Sequence, residues 1–129
     1  MINVSALNNA VVISRELKVA KPLAHVAGFM TGAPQLGSWL SPVKSVDPRV
    51  GGRIEFRAES GFEHGGSYLD FDLPNRAVLL TDKFGEIDAS FTEADGKTLV
   101  NLKFTKSGDA DYEKVIADIV TRFIAMVNY

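Results

Sequence analysis

Two carboxylates, Asp70 and Asp72, stand two positions apart, and Tyr68 shares their parity. On a strand, residues i and i+2 project from one face. This triplet could therefore bring acid, base and phenol into one pocket, where burial raises a carboxyl pKa and fits it for proton transfer. The competing account is an exposed strand face, with Phe71 and Leu73 on the opposite side unless a bulge changes the phase midway. His25 and His64 are the only histidines. They lie far apart, and neither has a partner at HxxxH spacing. A metal site or a Ser/His pair is not expected, and both rings are expected at or near the surface. Arg15 alternates with Ile13 and Leu17 and so shares their face. An unpaired buried guanidinium is costly. Arg15 therefore pairs with a carboxylate, is turned out by a bulge, or meets an anionic group of a ligand.

Two glycine pairs, Gly51-Gly52 and Gly65-Gly66, could cradle a phosphate. No Lys-Ser/Thr follows them, as a phosphate loop requires, so bends and bulges in strands are the better account. The lone tryptophan, Trp39, is read first as a plug between short helices and sheet, and second as a platform at a cavity mouth. Phe56, Tyr68, Phe91 and Phe104, with Ile116, Val120 and Phe123 from the last helical segment, could line a pocket or fill it as core.

These side chains need elements to carry them. The 129 residues are one domain's worth, enough to bury a core without staples. Hydrophobic residues make up 46% and charged residues 23%, as in ordinary globular proteins. The chain has no cysteine, which excludes a disulfide framework and a thiol nucleophile. It is compatible with a reducing cytoplasm, the compartment expected. A net charge of -2 argues against a nucleic-acid partner, which would call for a basic stripe. MINVSALNNAVV lacks the basic start and apolar core of a signal peptide, and no apolar run is long enough to span a membrane.

Val11 to Val19 alternates as a half-buried strand. Pro22 opens a helical segment with Leu23, Val26, Ala27 and Met30 on one face. Gly32 ends it, and Pro34 begins a second short helix through Trp39. Strands are predicted at Arg53 to Ala58, Gly66 to Leu73, Ala77 to Thr81, around Ile87–Phe91, and at Lys97 to Thr105. Turns fall at Pro74-Asn75, at Asp82 to Gly85 and at Asp95-Gly96, the last a type I′ signal. Ser107, Asp109 and Asp111 offer caps for a long helix. Its stripe runs through Tyr112, Val115, Ile116, Ile119, Val120, Phe123, Ile124 and Val127. A run of strands closed by one long helix predicts an α+β fold in which a curved antiparallel sheet of about six to seven strands wraps that helix.

The order of elements resembles the helix-grip fold of the START-like, birch-pollen-allergen (SRPBCC) superfamily. Within it, the chain is most similar to the branch related to the activator of heat-shock-protein-90 ATPase. Ala20-Lys21-Pro22 matches the branch's helix start, and Val26 its valine one turn later. Trp39 precedes a Ser41-Pro42 loop, and Asp47-Pro48-Arg49-Val50-Gly51-Gly52 matches its most specific motif. Gly66 and Pro74 fall in register. The resemblance covers residues 10 to 127. Departures are Ala27 for an aromatic, Gly32-Ala33-Pro34 for Asp-Pro, and no tryptophan near Thr81-Asp82.

The resemblance implies a single domain that binds a small hydrophobic or amphipathic molecule without catalysis, between sheet and long helix. Arg15, Trp39, Phe56, Tyr68, Phe91, Phe104, Ile116, Val120 and Phe123 are the candidate lining, with Tyr68 or Arg15 fixing orientation. No cofactor, metal or membrane partner is expected, and weak homodimerisation is left open. The alternative is a cyclase- or dehydratase-like enzyme acting on polyketide-like substrates, with Asp70, Tyr68 and His25 as first candidates for acid–base roles. A third, weaker alternative is a chaperone-interaction module, which fold-level analogy alone does not establish.

Overall fold

The computed structural model describes residues 10–57, 64–107 and 111–128. Ala58, expected to end a strand, and Asp109, expected to cap a helix, lie outside them. Strand β1 (Ala10–Val19) is followed by helix α1 (Leu23–Ala27), a 3-10 turn (Gly28–Met30) and helix α2 (Ala33–Trp39). Six strands come next: β2 (Val43–Val46), β3 (Arg53–Phe56), β4 (Gly65–Asp72), β5 (Arg76–Thr81), β6 (Gly85–Ala94) and β7 (Lys97–Ser107). Helix α3 (Tyr112–Val127) closes the chain.

All seven strands form one curved antiparallel sheet in the order β1-β7-β6-β5-β4-β3-β2. Neighbours in sequence are neighbours in space, save that β1 docks on β7 along its whole length, from Ala10 opposite Ser107 to Val19 opposite Thr98. Burial follows the period-2 pattern. Ile87, Ala89 and Phe91 are buried on β6, and Thr98, Val100, Leu102 and Phe104 on β7. These residues form the inner face, and α3 lays its own buried stripe into it. Asp95 and Gly96 both take positive φ, 54° and 76°, so the β6–β7 turn is the type I′ turn that Asp-Gly favours.

Three local details differ from expectation. Strand β2 pairs with β3 although its four residues carry only a weak alternation. Ser107 ends β7 rather than capping α3, whose N-cap is Asp111. Ile124, placed on the apolar stripe, is 39% exposed, while Tyr112, Ile116, Ile119, Val120, Phe123 and Val127 are buried. The apolar face is narrower than the sequence stripe because α3 meets the sheet along one line and leaves Ile124 at its flank.

Candidate functional site

The residues proposed to line a cavity converge on the inner face. Trp39, Phe56, Tyr68, Phe91, Phe104, Ile116, Val120 and Phe123 are all no more than 7% exposed and belong to one core cluster. Trp39 meets Phe123 edge-on with ring centroids 5.0 Å apart. Their polar tips are engaged by the protein's own backbone. Trp39 Nε1 donates to the carbonyl of Phe29 at 3.0 Å, and the Tyr68 hydroxyl donates to that of Met30 at 2.5 Å. Tyr112, also in the core, donates its hydroxyl to Phe84 O at 2.6 Å. Burial pushes the Tyr68 phenol pKa up, so it remains a neutral donor. A buried donor already satisfied by a carbonyl is not held in reserve for a ligand.

Arg15 lies opposite the buried Leu102, as its parity predicted, yet its side chain is exposed. Strand β1 is a sheet edge, so the long side chain swings into solvent, where Nη1 donates to the Ser14 carbonyl at 2.9 Å. The core placement that made Arg15 a candidate for an anionic ligand group is not realised, because the edge allows the charge to stay in water.

A β-bulge divides Tyr68 from Asp70. Tyr68 lies opposite Leu79, and the next aligned pair is Asp70 with Val78, leaving Leu69 as the extra residue. The phase therefore changes at Leu69. Phe71 returns to the inner side against Tyr68, with centroids 5.1 Å apart, and Asp70 lies on the other face near Arg76. There Arg76 also makes a bidentate pair with Asp88, at 3.0 and 2.8 Å. The hydrogen bond to Asp88 and its charge raise the Arg76 pKa further. Strict alternation predicted Tyr68, Asp70 and Asp72 on one face; the bulge separates Tyr68 from the two carboxylates. His25 lies elsewhere again, with Nε2 3.2 Å from the Val127 carbonyl at the end of α3. The three acid–base candidates do not meet.

His64 is half-buried near the surface, as expected, but its ring stacks on Phe56, with centroids 4.6 Å apart and an interplanar angle of 11°, and both ring nitrogens are sealed from solvent. The glycine pairs serve the backbone. Gly51 takes φ 77°, and its N–H donates to Tyr68 O at 2.8 Å. The Gly52 N–H donates to Arg49 O at 2.8 Å, and a Cβ on Gly52 would overlap the Asp47 carbonyl oxygen. A Cβ on Gly66 would likewise overlap Leu80 O. The N–H groups of Gly51 and Gly52 are committed to internal carbonyls, and that of Gly65 to the Asp82 carboxylate at 3.1 Å, as the bend account predicted.

Besides a cleft of about 420 Å³ on the β1–β7–β6 part of the sheet, lined by Arg15, Asp88, Ser90 and Asn101 among others, open space lies at the margins. A cleft of about 330 Å³ runs between the end of α2 (Gly37) with its connection to β2 (Leu40, Ser41, Pro42), the β5–β6 turn (Lys83, Phe84) and α3 (Val115, Asp118, Arg122). Its floor is Phe84, which is 3% exposed. The Phe84 ring packs edge-on against Phe56, and its N–H is received by the Thr81 hydroxyl at 2.9 Å. Arg122 crosses to α2, with Nε donating to Trp39 O at 3.1 Å and Nη2 to Leu40 O at 3.4 Å. These are carbonyls left over at a helix C-terminus. A second, more polar cleft of about 250 Å³ lies by Lys44, Arg53, Glu55, Phe56, His64, Gly65 and Asp82. Phe84, within the predicted Asp82 to Gly85 turn, and Arg122, off the apolar stripe of the last helix, were not among the candidate site residues. The one available signal was an aromatic inside a turn, Asp82-Lys83-Phe84-Gly85, where polar residues are the rule. Among the described residues, no group of His, Asp and Glu is arranged to hold a metal ion.

The family model described as "Activator of Hsp90 ATPase homolog 1-like protein" matches residues 24–123. A conserved protein of unknown function from Enterococcus faecalis superposes with a TM-score of 0.79 at 17% identity, covering 94% of this chain and 73% of that one. An AHSA1-like protein from Aeromonas hydrophila gives 0.72 at 22% identity, covering 91% and 92%. The Aha1 dimer from Colwellia psychrerythraea gives 0.71 at 13% identity, covering 92% and 93%. At these identities the likeness is one of fold. Among curated proteins there is no significant match.

Proposed function

The chain belongs to the Activator of Hsp90 ATPase homolog 1-like family, and from that premise we propose that it binds a small amphipathic molecule without transforming it. The site is the cleft between the α2–β2 connection, the Phe84 turn and α3. The observation that carries the reading is the division of labour inside the grip. The interior between sheet and helix is occupied by Trp39, Tyr68, Phe104 and Phe123, whereas the margin keeps a cleft with an apolar floor and a polar rim. Ligand sites are commonly concave, mainly apolar and furnished with a few fixed polar groups. At about 330 Å³ this cleft sits at the small end of the roughly 300–1,000 Å³ range of such sites. The separation of Asp70, Tyr68 and His25 favours binding over acid–base catalysis.

Native mass spectrometry of freshly purified protein, followed by denaturing extraction, tests this reading. A small amphipathic molecule that co-purifies with the wild type and is lost from Val115→Phe supports the cleft. A molecule retained by Val115→Phe, with NMR shift changes mapping away from Leu40, Phe84 and Val115, overturns the assignment.

A further inference from the structure

Strand β2 ends the sheet, and we infer that its outer edge accepts an acidic, extended segment of a partner protein as a further strand. As the outermost strand, β2 pairs only with β3, so one row of its N–H and C=O groups faces no strand. Helix α2 covers the start of that edge, where a Cβ on Gly37 would lie 3.2 Å from the Val43 nitrogen. Lys44 and Ser45, beyond it, are exposed. A shallow groove of about 470 Å³ runs alongside. Ala33, Pro34, Pro42 and Val43 give it an apolar floor, and Lys44 and Arg57 line it, with no carboxylate among its described residues. The backbone brings the two cations to one end of the β2–β3 pair, because Val43 lies opposite Phe56 and the Arg57 N–H donates to the Pro42 carbonyl at 2.8 Å. Arg49, Arg53 and Arg76 each sit within ion-pair distance of a carboxylate. Among the described residues, Lys44 and Arg57 have no such carboxylate, so their charge is available to a partner.

Charge selects the occupant. A second copy of this chain would bring its own Lys44 and Arg57 to the same edge, so like charges oppose pairing of β2 with β2. A lysine on an edge strand ordinarily serves this exclusion alone. Here it stands beside an apolar floor, which gives an incoming strand something to bury. Strand addition draws affinity from main-chain hydrogen bonds and specificity from alternate side chains. Val43 is buried and Arg57 is exposed, so a segment that alternates apolar and acidic residues meets both. This surface is distinct from the Phe84 cleft, although Gly37 and Pro42 border both, and it does not depend on the function proposed above.

NMR titration of the isotope-labelled protein with short peptides of alternating Val-Glu, Val-Gln and Val-Lys tests the inference. The Val-Glu peptide should shift the amide resonances of Lys44, Ser45 and Val46. It should bind several-fold more tightly than Val-Gln at low salt, the scale of two exposed ion pairs, and the gap should close at high salt. The Val-Lys peptide should bind least. Lys44→Gln and Arg57→Gln should each shrink the preference for Glu over Gln and leave the melting temperature unchanged, since both side chains are exposed. N-methylation of alternate residues in the Val-Glu peptide removes its main-chain donors without altering the protein, and should abolish binding. Equal binding of the Val-Glu and Val-Gln peptides, undiminished binding of the N-methylated peptide, or no shift at β2 with millimolar peptide overturns the inference. Shifts at β2 that grow with protein concentration alone overturn it in favour of a second copy.

Discussion

The Tyr68 hydroxyl donates to the Met30 carbonyl at 2.5 Å, joining the middle of β4 to the 3-10 turn that follows α1. Burial holds the phenol pKa above its ordinary value of 10.0. A group whose folded pKa lies above its unfolded value adds stability that is complete below the unfolded pKa and is lost as pH climbs toward the folded one. Tyr68→Phe should therefore cost about 1–3 kcal/mol at neutral pH, where Met30 O loses its donor. The gap between wild type and variant, followed by urea unfolding, should narrow as pH rises above 10. A gap that stays constant would mean the phenol ionises as freely in the fold as in the unfolded chain.

Gly52 and Gly28 should respond in opposite directions. A Cβ at Gly52 runs into the Asp47 carbonyl oxygen, whereas Gly28 has φ −59° and open space around it. Gly52→Val should destabilise the protein by at least ~2 kcal/mol. Gly28→Ala should stabilise it by about 0.4–1 kcal/mol through the unfolded chain. Equal melting temperatures for wild type and Gly52→Val would contradict the close approach described for the β2–β3 loop.

Phe123 meets Trp39 at the centre of the grip and is fully buried. Phe123→Ala should cost about 3–5 kcal/mol. The space it vacates is lined by apolar side chains and should admit a small apolar probe such as benzene. Benzene should then raise the melting temperature of the variant and leave that of the wild type unchanged. A wild type stabilised equally by benzene would show that the interior is already open.

Asp70 acts on the outer face with Arg76, away from both the core and the Phe84 cleft. Asp70→Asn should leave the melting temperature and any co-purifying ligand as in the wild type. A large loss of binding would return the carboxylate to the site.

Every strand but β2, the two short helices and the buried set of aromatics were legible in the sequence because each carries a periodic signal. Ile87, Ala89 and Phe91 alternate, and Ile116, Val120 and Phe123 recur at helical spacing. The Leu69 bulge was not legible. Gly66 to Leu73 alternates acceptably in either phase, so only pairing with β5 shows where the phase changes. That single residue decides whether Asp70 faces the core, and with it the enzyme reading. Arg15 misled for a related reason. Parity gives the face of a strand but not its position in the sheet, and at an edge a long cation can leave the face that parity assigns. The cleft was hidden because Leu40, Phe84, Val115 and Arg122 come from separate segments that meet only after α3 docks.

The pairing of β1 with β7 has a consequence for how the protein is made. β1 leaves the ribosome ahead of every other strand of the sheet, and its partner β7 is the last of them to follow. Until then Ala10–Val19 is a strand without a neighbour, carrying Val11, Ile13, Leu17 and Val19 beside Arg15, Glu16 and Lys18. Long-range pairing of this kind closes late and exposes the waiting strand to other chains. Charged residues on a waiting strand disfavour pairing with other chains, and Arg15, Glu16 and Lys18 supply three of them on β1.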